Sequence, residues 1–372
     1  MGRRGLYGKD QSGLKRDGMK PLRVGFVPLV DCAPLVMAQE LGLFQQQGLT
    51  VRLSREVGWA TIRDKIIYGE LDAAHALAAM PFAATFGLGC ATCDCLTGLV
   101  LNLNGNGITL SNELWDRGVR DATTFRQEIE RCRGTKTYTL GVVFNHSTHN
   151  FLLRRWLAGG GIDPDADVRI VVAPAPFMFD HLKTGHLDGY CVGEPWNSVA
   201  IQAGRGWCVA TSAQLAPYHP EKVLAVRRQF AEENEREHLA LIAALIQACD
   251  YCDRMENREH VIQALAGPKY VNTNASALRG SLMPTFHFGN GRSESMPDFH
   301  VFSRHAANEP TAEKASWILA NLFRNAGAGG ISGVRMDSAF HVFRPDIFQQ
   351  AVRILRTDPQ ARAEMRGVPV SA

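Results

Sequence analysis

Three short segments, far apart in the chain, carry residues able to hold a small anion. They are Asn145-His146-Ser147-Thr148-His149, Cys191-Val192-Gly193-Glu194-Pro195-Trp196 and His219-Pro220-Glu221-Lys222. Each puts a glycine, histidine or lysine at the expected first turn of a helix. There the unpaired N–H groups point outward and the helix dipole presents its positive end, so an anion is stabilised. Lys222 stands out, because a cation in a first turn opposes the dipole at a cost of a few tenths of a kcal/mol, up to about 1. An anion shared between Lys222 and a cleft would offset that cost. Gly193 leaves a strand with no side chain to cover its N–H. His149 follows two capping residues, Ser147 and Thr148, and its imidazole can donate to an oxyanion. His146 is its rival on the same turn. Trp59, after Gly58 at the head of another helix, can offer its indole N–H or lay its ring against a flat anion. Asn106 sits between Gly105 and Gly107 in a sharp turn. Each residue also has a plainer reading: a turn glycine, a solvated histidine, a surface lysine, a core tryptophan and a turn asparagine.

The elements that must position these residues alternate from Leu22 onward, which predicts an α/β fold. Strands are expected over 22–29, 49–55, 73–77, 96–103, 139–144, 168–173 and 187–192. Helices are expected over 33–44, with Pro34 in the first turn, and over 59–68, 148–157, 177–184, 194–203 and 311–324. Beyond Pro220 the sequence predicts helix from 221 to about 266. One lobe is assigned residues 21–107 and 213–372, the other 108–212, and two crossings between them make a hinge. Ligands of open α/β sheets bind beyond the carboxyl ends of the strands, where these turns converge.

Composition excludes several functions. The chain has 372 residues, 45% hydrophobic and 21% charged, with a net charge of +3. That supports an ordinary core and is too balanced for a nucleic-acid surface. No run reaches the roughly 18 apolar residues of a membrane span. Residues 1–20 read as a disordered basic arm, with Arg3, Arg4, Lys9, Lys15, Arg16 and Lys20 but no apolar stretch behind them, so an export signal is not expected. The odd count of nine cysteines suits a reducing compartment. These features predict a cytoplasmic protein. Cys90, Cys93 and Cys95 lie close together but lack a second pair to complete a tetrahedral metal site. No metal, no cofactor and no enzymatic motif is expected.

The stretch Leu22-Arg23-Val24-Gly25-Phe26-Val27-Pro28-Leu29, then Gly58-Trp59 with Arg63-Asp64, Tyr190-Cys191-Val192-Gly193-Glu194-Pro195-Trp196-Asn197 and His219-Pro220-Glu221-Lys222 together resemble the nitrate/bicarbonate solute-binding proteins of ABC transporters. The resemblance implies a type II periplasmic-binding-protein fold with an oxyanion held between two α/β lobes. It also implies ligand contacts at Trp59, His149, Gly193 and Lys222. Nitrate-binding members carry a glutamine where this chain has Asn106, a shorter amide. In bicarbonate binders resembling this chain a glutamate replaces the lysine and a threonine the histidine, so His149 with Lys222 favours nitrate or nitrite. A permanent anion without a proton wants donors, whereas bicarbonate has a hydroxyl that a carboxylate can accept. Without an export signal the chain resembles the family's cytoplasmic nitrate/nitrite sensor branch, whose partner is an RNA-binding antiterminator of the ANTAR type. Nitrate would release that partner, with no direct contact of the sensor to nucleic acid. The alternatives are the binding component of a nitrate or bicarbonate ABC transporter and, more distantly, a thiamine-pyrimidine synthase, which the Cys90-Ala91-Thr92-Cys93-Asp94-Cys95 segment resembles.

Overall fold

The computed structural model describes residues 20–325 and 339–357. All but Lys20 of the basic arm expected over 1–20 lies outside the described residues. In chain order the strands are β1 (Leu22–Phe26), β2 (Val51–Arg55), β3 (Ala73–Leu77), β4 (Cys95–Leu96), β5 (Val100–Asn104), β6 (Asn106–Ser111), β7 (Thr139–Val142), β8 (Arg169–Val172), β9 (Gly189–Gly193), β10 (Gly206–Thr211), β11 (Pro220–Arg227), β12 (Thr285–Gly289), β13 (Arg292–Ser295) and β14 (His300–Val301).

They form two main sheets. The first runs β14-β5-β11-β3-β1-β2, with β4 on β11, and the second runs β10-β6-β9-β7-β8. Parallel pairs lie at one side of each sheet, β2-β1-β3 in the first and β9-β7-β8 in the second. β11 enters the first sheet antiparallel to both β3 and β5. Strands such as Ala-Ala-His-Ala-Leu in β3 and Gly-Tyr-Cys-Val-Gly in β9 are buried from end to end, as covered sheets require.

The first core sits between its sheet and the 19-residue helix Glu235–Asp253. Leu241, Leu245 and Cys249 of that helix are fully buried and pack with Val36 and Met37 of the helix Ala33–Glu40. Each large apolar side chain buried this way contributes about 1.5–3 kcal/mol. The helix Thr148–Gly159 is built from local signals. Ser147 caps it by accepting from the Asn150 amide, Phe151, Leu152 and Trp156 bury one face, and the chain turns away at Gly161 with φ +75°.

The chain passes from the first sheet to the second at Gly105, so Asn106 and Gly107, assigned from the sequence to the first lobe, begin β6 of the second sheet, and it returns between Thr211 and Pro220. Gly105 has φ +95°, and a Cβ there would collide with the His300 ring, so the crossing requires glycine twice over.

Two expected helix starts are not helical. Pro220–Arg227 is a strand, because the apolar run Val223-Leu224-Ala225-Val226 fills the slot between β3 and β5 and gains ladder partners on both sides. That tertiary pairing outweighs a helical propensity of tenths of a kcal/mol per residue. The helix after Gly193 begins at Trp196, so Gly193 closes β9 rather than opening a helix. The helix-dipole argument for Lys222 and Gly193 lapses, and their positions need another explanation.

Candidate functional site

The lobes meet over a closed cluster of polar side chains. Lys222, Glu221, His149, Thr148, Asn106 and His75 are 0% exposed, Asp31 1%, Trp59 2% and His219 3%. Seven oxygen and nitrogen contacts tie most of them together. His75 Nε2 lies 2.8 Å from Asp31 Oδ1, and Lys222 Nζ lies 2.8 Å from Asp31 Oδ2. Lys222 also donates to Glu221 Oε1 at 2.6 Å. Glu221 Oε2 accepts from Asn106 Nδ2 at 2.7 Å, from His219 Nε2 at 3.1 Å and from the Thr148 hydroxyl. His149 Nε2 stands 3.6 Å from Glu221 Oε1, beyond a hydrogen bond.

Different elements deliver each group. Asp31 lies in the short turn Val30–Cys32 that follows β1, and His75 in the middle of β3. Glu221 and Lys222 are consecutive on β11, where alternation would send them to opposite faces. The β11–β5 register shifts on both sides of Lys222, and this irregularity lets both side chains reach one cluster. Trp59 opens the helix Trp59–Ile67 after an extended Gly58; its ring is tilted against His75 at 5.3 Å, and Lys222 Nζ stands 5.3 Å from its centre. His149 lies in the first turn of its helix, as expected.

Gly193 faces Asn106 across the β6–β9 ladder. The next amide, of Glu194, donates to Gly105 O at 3.3 Å, so alternation turns the Gly193 N–H away from β6, past the end of β7. A Cβ at Gly193 would sit 3.4 Å from Asn106 Oδ1 and 3.5 Å from Asp31 Oδ2, in ordinary contact. No protein atom demands a glycine there, so what its absent side chain leaves open is space beside Asp31 and Asn106. The lobes are latched close by, where the Val30 amide donates to Glu194 O at 2.8 Å.

Burial works against every charge in the cluster, and the neighbours overcome it. Burial would raise the Asp31 carboxyl, but Lys222 and His75 hold it well below the usual carboxylate range. Glu221 is held down in the same way by Lys222, His149 and His219. Burial would lower the Lys222 ammonium, yet Asp31 and Glu221 raise it, so it stays charged. For His149 and His75 burial prevails: His149 falls to about 4 and His75 is lowered too. Several inward polar atoms have no hydrogen-bond partner: Trp59 Nε1, both ring nitrogens of His149, His75 Nδ1 and Asn106 Oδ1. Orphaned polar atoms at this depth are uncommon and costly, and a bound acceptor would satisfy the N–H groups among them.

All five residues expected at a ligand, Trp59, Asn106, His149, Gly193 and Lys222, are thus brought to one place. Sequence reasoning missed Asp31, Thr148, His219 and Glu221, and read His75, like His287, as within reach of the cleft but more simply as structural. A signal existed for two of them: Asp31 interrupts Pro-Leu-Val-Asp-Cys-Ala-Pro, and His75 interrupts a run of alanines. Asn106 is no loose turn residue but the buried first residue of β6. His146 stands apart, edge-on to Phe144, and the exposed His287 bonds to Ser293 on the β12–β13 hairpin. Cys93 and Cys95 lie with their sulfurs 3.8 Å apart near Arg227, at the far end of β11. Among the described residues no group of three metal-binding side chains is arranged to hold an ion.

Residues 16–266 match the NMT1-like family. The chain belongs to that family. It is 32% identical over 317 residues to the nitrate/nitrite binding protein NrtA of Synechococcus elongatus, covering 82% of this chain and 72% of that protein. It is 39% identical over 337 residues to the nitrate import ATP-binding protein NrtC of Synechocystis sp. PCC 6803, covering 90% of this chain and 50% of that one. A bicarbonate transport ATP-binding protein, CmpC, of the same organism is 38% identical over 325 residues, 86% of this chain and 48% of the relative. The chain spans about half the length of these ATP-binding relatives. Among solved structures, the periplasmic nitrate-binding protein NrtA of Synechocystis PCC 6803 superposes with a TM-score of 0.85 at 26% identity, covering 95% and 92% of the two chains. The fold is therefore that of the periplasmic binding proteins, as the resemblance implied. The NrtA relatives carry names of nitrate- or nitrite-binding proteins.

Proposed function

We propose that this chain binds nitrate or nitrite between its two lobes and serves an oxyanion uptake system. The observation that carries the reading is the closed cluster, where N–H groups of Trp59, His149 and Gly193 face inward beside the Lys222 ammonium. Nitrate accepts and never donates, so it suits a ring of donors around a cation. The names of the NrtA and NrtC relatives support nitrate as the ligand and import as the setting. A micromolar dissociation constant corresponds to about −8 kcal/mol, within reach of charge-assisted hydrogen bonds in a dry cleft. Calorimetric titration of the purified protein with nitrate, nitrite and bicarbonate tests the reading. Saturable heat from nitrate or nitrite supports it, and heat from bicarbonate alone overturns it.

Bicarbonate is the second reading, favoured by the Glu221 carboxylate and by the CmpC relative. Its hydroxyl would need a carboxylate oxygen free to accept. Glu221 Oε2 already takes three donors and Oε1 takes Lys222, which leaves nitrate the better fit.

The finer reading adds a cytoplasmic sensor that holds an ANTAR-type antiterminator and releases it on binding nitrate. It rests on the motif resemblance, whereas the relatives' names favour uptake. The physical link would be lobe closure: ligand stabilises the closed form and the partner the open one, so each must weaken the other's binding. Pull-down of the antiterminator with and without nitrate tests it, and a complex that nitrate tightens contradicts it. Cell fractionation tests the cytoplasmic location.

A further inference from the structure

We infer that each anion enters the cleft together with one proton, and that His149 carries it. The inference rests on the oxyanion reading of the site and specifies what is taken up: a monovalent anion plus H⁺, the elements of the neutral acid.

The charges come first. His219 Nδ1 lies 2.9 Å from Ala216 O and its Nε2 3.1 Å from Glu221 Oε2. Glu221 is thus engaged by His219 as well as by Lys222. Two carboxylates, Asp31 and Glu221, share the one ammonium of Lys222, so the cluster has no positive charge to spare. An arriving nitrate adds a further negative charge at zero exposure, where an uncompensated ion is strongly disfavoured.

The hydrogen bonds single out the acceptor of the balancing proton. His149 is wholly buried and neither of its ring nitrogens has a partner. Glu221 Oε1 stands 3.6 Å from its Nε2. With nitrate on the other side, the ring would lie between two groups that only accept. A neutral imidazole has one N–H and fails one of them, while the imidazolium satisfies both. Burial keeps the ring neutral in the empty cleft, and a second anion beside it reverses that preference.

The other groups facing this ring leave it that role. From β11 come Glu221, Lys222 and His219, and from the turn after β1 comes Asp31. Behind it on β9, burial raises the Cys191 thiol far above its ordinary value, so it stays neutral. The short helix Ser212–Leu215 brings no titratable side chain. The helix Ala312–Asn325 sets Trp317 at a tilt against His219, and its Lys314 is taken by the carbonyls of Ala306, Ala307 and Glu309. Glu128 of the helix Ala122–Arg131 is engaged by Tyr138 and Arg131. His75 is the competitor, but its Nε2 is committed to Asp31.

The full chain is titrated with potassium nitrate at pH 7 in phosphate and in Tris, whose ionisation enthalpies differ. The dependence of observed heat on buffer gives the protons taken up. The expected value is close to one per nitrate, with affinity weakening about tenfold per pH unit as pH rises above the free-state value of His149. His149→Gln should bind weakly with no proton uptake, while His75→Gln retains the uptake. In the unaltered protein, ring nitrogen shifts of His149 should move to imidazolium values on saturation, a readout that needs no variant. Nitrate binding without proton uptake overturns this inference and leaves the oxyanion reading standing. Loss of uptake in His75→Gln alone, with His149 shifts unchanged, overturns the assignment to His149. No heat from nitrate, nitrite or bicarbonate overturns both.

Discussion

The two lobes contribute unlike chemistry to one cluster. The first supplies the fixed charges: Asp31, Glu221 and Lys222, locked to one another at 2.6–2.8 Å. The second supplies uncharged donors: the Asn106 amide, the Thr148 hydroxyl, the His149 ring and the Gly193 N–H. Charges paired within one lobe keep their partners when the cleft opens, so they are not left bare in water or in the interior. Donors on the other lobe reach Glu221 only when the cleft is shut. The division makes closure a matter of hydrogen bonds formed across the gap, a reversible one, while the expensive buried charges stay settled.

The largest expected effect comes from breaking the charged side. Lys222→Met leaves Asp31 and Glu221 buried without their common cation and should cost about 3–5 kcal/mol of stability. Denaturant unfolding reads that loss, and calorimetry should read no nitrate binding. An unchanged unfolding midpoint would mean that Lys222 is not the hub.

Acid should act next, through the histidines. Burial depresses His149 to about 4, His238 to about 4 and His300 to about 3. Their folded values lie below the unfolded value near 6.5, so the unfolded chain binds more protons as pH drops. Their contribution is therefore present above about pH 6.5 and is lost as pH falls toward 4. A melting temperature flat between pH 7 and 4 would contradict it.

Breaking the neutral side should cost less. Asn106→Ala removes one of three donors to Glu221 Oε2 and should cost about 1–3 kcal/mol, since the others remain. Small-angle scattering of that variant should report a more open chain, because the lost bond is one that spans the lobes. The smallest effect is the most local: Trp59→Phe keeps the ring and loses the indole N–H. Stability should hold within about 1 kcal/mol while nitrate affinity falls roughly tenfold, the worth of one hydrogen bond to an anion. Equal affinity would remove Trp59 Nε1 from the list of donors.

Legibility varied from residue to residue. His149 could be placed because Ser147, Thr148 and the apolar spacing behind them write a helix start in consecutive residues. Gly193 and Trp59 were legible for the same reason, one at a strand end and one at a helix head, though the helix after Gly193 starts at Trp196. Lys222 was assigned to the right place by the wrong argument. Its neighbours Glu221 and Leu224-Ala225 suit a helix, and only the vacancy between β3 and β5 makes the segment a strand. Glu221 was passed over because the segment read as a helix start, and the irregular β11–β5 register that brings it to the cluster beside Lys222 has no mark in the local sequence. Asn106 and Glu221, bonded at 2.7 Å, lie 115 residues apart.

By itself, then, the sequence determined the α/β alternation, the helix start that carries His149, the glycine that ends β9 and the family resemblance. All of these depend on spacing within about ten residues, where periodicity and capping act. Tertiary structure alone decided that Pro220–Arg227 is a central strand, that Asp31, His75 and Glu221 join the cluster, and which groups there are charged. Those outcomes depend on which distant strands become neighbours and on how completely they exclude water. Pairing and burial are properties of the assembled sheet, and no stretch of consecutive residues contains them.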